Sequence, residues 1–256
     1  MDERIAGRVS ELRARREAVL AALPLAEVVE ALDAVARRLE AALVEPGAPA
    51  LWIAELHRLL AAAPVPEGVR EGIRAFAASL RREALQALLE EELGDPLVLD
   101  EARPRPSGGW VRATGPGVVG CFLAGNTPLL SWPAMAAALL AKSALFSKLS
   151  RADTEWPGVF QGALASVHSG LGECVTLETW TGGERPLDQA LCESADTVVA
   201  FGSDAAIEAL RALTPVQTPF HGYAHRISIG VVLRGADEES AAAGLARDVL
   251  LYDQQG

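Results

Sequence analysis

Cysteine is scarce in this chain: its 256 residues hold three, Cys121, Cys174 and Cys192. An odd, sparse set with no CxxC pair neither frames a disulfide-stapled fold nor supplies a structural zinc site. Reduced thiols in a cytoplasmic setting are the expectation. Lysine is scarcer still, since the 23 basic residues include only Lys142 and Lys148. In a chain that otherwise uses arginine, a lysine can mark a place that needs a compact ammonium. Codon usage is the competing explanation. Long apolar runs are also missing. "SWPAMAAALLAKSALF" comes nearest, and Lys142 interrupts it before it reaches the ~20 residues of a membrane span. The N-terminus, "MDERIAGRVSELRARREAV", has no apolar core before a small-residue cleavage site, so no secretion signal is expected. No basic run occurs and the net charge is −11. Such a chain is a poor partner for nucleic acid or an anionic membrane.

Half of the residues are hydrophobic, and no low-complexity tract suggests disorder. That is enough apolar material for one large or two modest domains. The first ~95 residues read as helices by their 3.6-residue period. In the first helix Ile5, Val9, Leu12, Val19 and Leu20 share a face, and Pro24 ends it. Further helices are expected over 25–44, over 51–63 and, as one long element, over 67–94 with Gly94 as its C-cap. The pattern is too interrupted for a coiled coil, so a packed helical layer is expected. A polar, Pro-rich connector runs from Leu97 to Thr114. The division expected is a helical region over 1–96 and a second domain over 97–256.

In that second part short apolar runs alternate with amphipathic segments. Strands are expected over 117–124, 143–150, 174–180, 196–202 and 226–233. Helices are expected over 129–141, 155–171, 185–194, 203–213 and 239–252. Near-continuous apolar strands alternating with helices indicate an α/β fold, an open parallel sheet covered on both faces.

Gly115 to Gly120, "GPGVVG", matches the G-x-G-x-x-G dinucleotide fingerprint. The context is wrong, because that fingerprint follows a strand and opens a helix. Here the glycines precede a strand, and a tight turn leading into it is expected instead. The next stretch, "LAGNTPLLSWPAMAAALLAKSALFSKLSRAD", carries more chemistry. One strand ends at a Gly-Asn-Thr-Pro turn and a second ends at Lys148-Leu149-Ser150. Both open on the carboxyl edge of the sheet, where open α/β folds bind ligands. Asn126 offers an amide donor there, and Lys148 offers a cation.

These residues resemble the aldehyde dehydrogenase superfamily, and more closely its bacterial acyl-CoA reductase branch, the LuxC-type fatty-acid reductases of bioluminescence systems. "AGNTPL" sits where the superfamily has its Trp-Asn-Phe-Pro turn, and "LFSKLS" where it has its Lys-Pro-Ser strand end. "VVAFGSDAAIEALR" matches the Phe-Thr-Gly-Ser strand-to-helix turn. "YAHRIS" and "ARDVLLYDQQG" are similar to the reductase branch specifically. The likeness covers residues 95–256 well and the helical part in character.

The resemblance implies a reaction in which a cysteine thiolate attacks an acyl thioester and the acyl-enzyme is then reduced to an aldehyde with NADPH. The thioester would be an acyl-CoA or an acyl carrier. By its match Asn126 is an oxyanion donor, a role usually worth 10²- to 10³-fold in rate; the alternative is an Asn that closes a turn. Lys148 and Ser150 match positions that hold the adenosine ribose. NAD-preferring relatives commonly carry Glu where this chain has Arg151, so NADPH is expected over NADH, with a solvated surface arginine as the alternative. Phe201, Gly202 and Ser203 fall at the turn where helix-start amides favour a pyrophosphate, although Ser203 is equally a common N-cap. Gly182 and Gly183 would let the backbone approach the adenine side.

His221 and His225 form H-x-x-x-H. Pro219 and Gly222 argue against a helix there and no third ligand is evident, so no metal site is expected. "FHGYAHRIS" replaces the general-base motif Glu-Leu-Gly-Gly-Lys of aldehyde-oxidising relatives, which suits a reductase. None of the three cysteines falls at the family's nucleophile position. The matching nucleophile is the residue that would follow Gly256, so the chain reads as ending one residue short of it and as inactive alone. A non-catalytic nucleotide-binding fragment and a reductase of acyl phosphates stay open beside this reading. A homo-oligomer also stays open for the full-length protein.

Overall fold

The computed structural model describes residues 2–44, 50–125, 128–152, 155–224 and 229–250. Five helices come first: α1 (Glu3–Ala18), α2 (Leu25–Val44), α3 (Leu51–Ala62), α4 (Pro66–Ser79) and α5 (Arg82–Leu93). The side chain of Asp2 starts α1 by accepting from the Arg4 and Ile5 amides, which satisfies two of the donors a helix start leaves orphaned. Ile5, Val9 and Leu12 form its buried stripe, as their spacing indicated, but the helix ends at Ala18, so Val19 and Leu20 lie past it and Pro24 is not what stops it.

The single helix expected over 67–94 is two. Arg81 turns to φ −64°, ψ 143° and separates α4 from α5. The cause lies on α2, where Asp33 is only 2% exposed. Its carboxylate accepts the Arg82 N–H at 3.3 Å, pairs with Arg81 Nε at 3.0 Å and also pairs with Arg37. A carboxylate at this point anchors the start of α5, where the helix dipole favours negative charge. Periodicity within 67–94 carries no trace of a partner more than thirty positions upstream.

The connector is ordered. It forms a 3₁₀ turn over Pro96–Leu99 and a small antiparallel hairpin of β1 (Arg103–Pro104) and β2 (Trp110–Val111).

Five parallel strands follow: β3 (Val118–Phe122), β4 (Ala144–Leu149), β5 (Val175–Thr179), β6 (Thr197–Phe201) and β7 (Phe220–Tyr223), in spatial order β5-β4-β3-β6-β7. They are joined by α6 (Ser131–Leu140), α7 (Trp156–Val167), α8 (Ser169–Glu173), α9 (Arg185–Ser194) and α10 (Asp204–Leu213), and α11 (Glu238–Leu250) comes last. The expected α/β class is borne out: a helical region precedes an open parallel sheet. Two boundaries differ. The helix expected over 155–171 breaks at His168, whose Nδ1 accepts the Leu171 N–H at 3.3 Å and so starts α8. The last strand expected, 226–233, is not where the sheet ends. Residues 225–228 lie outside the described residues, 229–233 form no strand, and Ile229, Val231 and Leu233 are exposed. The edge strand is β7, paired with β6 from Val198↔Phe220 to Phe201↔Tyr223. Gly222 makes that packing feasible, because a β-carbon there would stand 2.6 Å from Ile207 Cγ2 of α10.

The glycines of "GPGVVG" lead into and through β3, as their context indicated, and they serve close approach. A β-carbon on Gly115 would overlap the Ala141 carbonyl, and one on Gly120 would lie 3.0 Å from Ala195 Cβ and 3.3 Å from the Leu191 side chain of α9. Helix α1 packs against α9, β4 and β3. Arg13 fastens it there through Ser194 O at 3.0 Å and Asp196 at 2.9 Å, and Asp196 in turn accepts the Val118 N–H at 2.7 Å. The buried residues of the helical region and of the sheet form one contiguous cluster.

Candidate functional site

The strand order reverses between β3 and β6. From β3 the chain goes first to β4 on one side and later returns to β6 on the other. At such a switch point the connections diverge and leave a crevice beyond the carboxyl ends of the strands. A cleft of about 620 Å³ opens there. Phe122, Lys148 and Phe201, at or near three strand ends, form its floor. Gly182, Gly183, Arg185 and Asp188 form one wall, and an alanine-rich face of α10 forms the other.

Of the residues singled out from sequence, Lys148, Gly182, Gly183 and Phe201 line this cleft together. Ser150 and Arg151 stand just beyond the end of β4. A β-carbon on Gly125 would come within 2.5 Å of Ser150 Cβ, so the loops after β3 and β4 touch. The exposed Arg151 donates to Thr181 Oγ1 at 2.7 Å, next to the Gly182–Gly183 wall. Ser203 N-caps α10 by accepting the Ala206 N–H at 3.3 Å. The Gly202 N–H already donates to Tyr223 O at 3.2 Å. Asn126 lies outside the described residues, as do His225 and residues 251–256. His221 is exposed on strand β7, not on a helix.

The charges in the cleft are coupled. Lys148 is half-buried, and burial lowers the pKa of its ammonium; the negative Asp188 opposes that shift and the positive Arg151 adds to it. Asp188 is 6% exposed. Burial raises its carboxyl pKa, while the Trp180 indole donor at 2.8 Å and the Lys148 charge act in the other direction. Asp188, Arg185 and the α10 alanines were not singled out from sequence. "RPLDQALCES" reads as an ordinary amphipathic helix with an acid in its first turn, and no local signal says that this acid is buried.

All three thiols are buried. Burial pushes Cys121 up to about 12 and Cys174 and Cys192 up to about 11. A nucleophilic thiol needs an exposed, electropositive setting, and these residues have none. Among the described residues no helix is long and apolar enough to cross a membrane.

Known proteins agree with this architecture. A family model described as "Acyl-CoA reductase (LuxC)" matches residues 20–256. The long-chain acyl-protein thioester reductase of Aliivibrio fischeri is 29% identical over 177 residues, covering 68% of this chain and 37% of that protein. Its counterpart in Photorhabdus luminescens is 28% identical over 174 residues, covering 67% and 36%. The chain thus spans less than two-fifths of the length of these curated relatives. Among solved structures, PnpE in complex with nicotinamide adenine dinucleotide superposes with a TM-score of 0.74 at 19% identity, over 97% of this chain and 48% of that one. The glyceraldehyde-3-phosphate dehydrogenase GapN of Methanocaldococcus jannaschii, complexed with NADP, gives a TM-score of 0.66 at 17% identity, over 96% and 52%. At such identity the likeness shows the fold alone.

Proposed function

The chain belongs to the acyl-CoA reductase (LuxC) family, and from that premise we propose that it is the NADPH-binding part of an enzyme that reduces a long-chain acyl thioester to the aldehyde. The relatives' name, long-chain acyl-protein thioester reductase, supports a thioester substrate; CoA or a protein thiol is the carrier. One observation carries the cofactor reading: a cleft at the switch point of a parallel sheet with the Lys148 ammonium on its floor.

The residues present fit a nicotinamide dinucleotide. Lys148 and Ser150 hold the adenosine ribose, and Gly182 and Gly183 admit the adenine. Arg151, steadied by Thr181, pairs with the 2′-phosphate through charge-assisted bonds. Phe201, Gly202 and Ser203 face the pyrophosphate at the start of α10, where the helix dipole favours an anion although the Gly202 and Ala206 amides bond within the chain. The bound cofactor supplies a hydride. Asn126 donates to the oxyanion that forms when the thioester carbonyl is attacked. The attacking thiolate comes from outside these 256 residues, because the three thiols present are buried and held protonated. The chain by itself therefore binds NADPH without turning over.

Fluorescence titration of the chain with NADPH tests this, alongside Lys148→Met and an assay of NADPH oxidation with acyl-CoA or acyl phosphate. Saturable binding, weakened about tenfold by Lys148→Met, with no oxidation of NADPH, is the expected result. Absence of binding overturns the cofactor reading. Turnover by the chain alone overturns the assignment of the thiolate.

A further inference from the structure

Asp188 is the acid among the residues lining the cleft. It stands in the first turn of α9, where the helix dipole steadies negative charge. Its Oδ1 accepts from Trp180 Nε1 at 2.8 Å. Asp188 also accepts a backbone hydrogen bond from Gly183; an ionised carboxylate offers about four acceptor sites, so acceptor capacity remains. Burying a carboxylate is costly, and a bond to an indole N–H does not need one: a neutral Asn would accept it as well. The Lys148 ammonium on the cleft floor answers part of that charge, and Asp188, itself a lining residue of the cleft, keeps acceptor capacity for a ligand there.

Across the cleft, Ala205, Ala206 and Ala209 of α10 line the opposite wall, exposed and apolar. Beside Asp188, a β-carbon on Gly182 or Gly183 would find nothing within 4 Å, so the backbone there borders open space. A slot with one flat apolar side and one acceptor on the other takes a planar ring with a donor on its edge. We propose that Asp188 reads the exocyclic amino group of the adenine, with the ring laid against the α10 alanines and its 6-amino N–H donating to the carboxylate. The assignment rests on the cofactor reading above. A purine bearing a 6-oxo group would set an acceptor against an acceptor. Lys148, at the strand end below, meets the sugar while its charge also acts on Asp188.

Titrating the chain with NADPH and with its hypoxanthine analogue, which carries 6-oxo and N1–H in place of 6-amino and an N1 acceptor, tests the proposal. The wild-type chain is expected to bind NADPH ten- to a hundredfold more tightly, in keeping with ~1.5–3 kcal/mol for a hydrogen bond to a charged group. In Asp188→Asn the amide oxygen keeps the Trp180 bond and the NH₂ group turns to the cleft. Its preference is expected to collapse or invert, with a melting temperature close to wild type. Asp188→Ala is expected to lose the discrimination and melt lower. Equal wild-type affinities overturn the inference and leave the cofactor reading standing, whereas failure to bind either nucleotide overturns both. An Asp188→Asn variant that keeps the preference for the amino group also overturns it. So does one that changes only the ratio of NADPH to NADH affinity, which would place the carboxylate at the ribose.

Discussion

The ammonium of Lys142 pairs with the carboxylate of Asp100, and the same carboxylate accepts the Leu25 N–H that opens α2. Lys142 is 5% exposed and holds a left-handed backbone with φ 54°. Its carbonyl accepts from Arg16 Nε at 2.8 Å. One residue after α6 therefore joins α1, α2 and the approach to β4.

Removing that ammonium leaves Asp100 charged and poorly solvated. Lys142→Met is expected to lower stability by about 3 kcal/mol. Lys142→Gly is expected to cost less, about 1–2 kcal/mol, because glycine relieves ~1–2 kcal/mol of left-handed strain. Urea unfolding measures both. A loss below ~1 kcal/mol for the Met variant would show that the pair is not what fixes this turn.

Arg151 sets the choice of dinucleotide in the proposed function. Arg151→Glu places a carboxylate where the 2′-phosphate is expected. NADPH affinity should fall at least tenfold relative to NADH. Calorimetry on both nucleotides decides the matter, and an unchanged ratio sinks the assignment.

Asp33 makes the helical region acid-sensitive. Burial works to raise its pKa, but the Arg37 hydrogen bond, the Arg82 N–H and the Arg37 and Arg81 charges together hold it below the ordinary 3.8. A depressed carboxylate binds fewer protons folded than unfolded. Its contribution is complete above the unfolded value and is lost as pH falls through the folded one. Stability is therefore expected to drop below about pH 4. Asp33→Asn should cost about 2 kcal/mol at pH 7 and show a flatter acid limb. Melting curves from pH 7 to 2 follow both; parallel limbs would remove Asp33 as the cause.

The three cysteines should be chemically silent in the native chain. With a thiol-specific disulfide reagent at neutral pH, no labelling is expected before denaturation and three equivalents after it. Rapid labelling of Cys121, Cys174 or Cys192 in the folded chain would reopen the question of the nucleophile.

Much of this was legible in the residues. The run "LAEVVEALDAVARRLEAALV" spells out α2 to its ends, because its apolar face repeats cleanly and Pro24 stands just before it. The parallel sheet was legible because β4 is apolar on both faces. Lys148 was singled out by its place at a strand end and by the family match, Gly182 and Gly183 by following a strand and Phe201 by the family's strand-to-helix turn; all four line one cleft. What escaped depended on distant partners. The break at Arg81 is imposed by Asp33 on another helix. The edge strand "FHGY" is short and alternating, and the more apolar "IGVVL" nearby outweighed it in a reading by hydrophobicity. Asp188 looked like a helix-start acid until Trp180 and Lys148 stood beside it.

Helix α10 has an apolar face but not one buried residue. Ala205, Ala206 and Ala209 turn toward open space instead of a core. In the proposed function the bound dinucleotide covers that face and completes α10's packing. Binding and the order of this helix are then linked, and hydrogen exchange along α10 is expected to slow when NADPH is added.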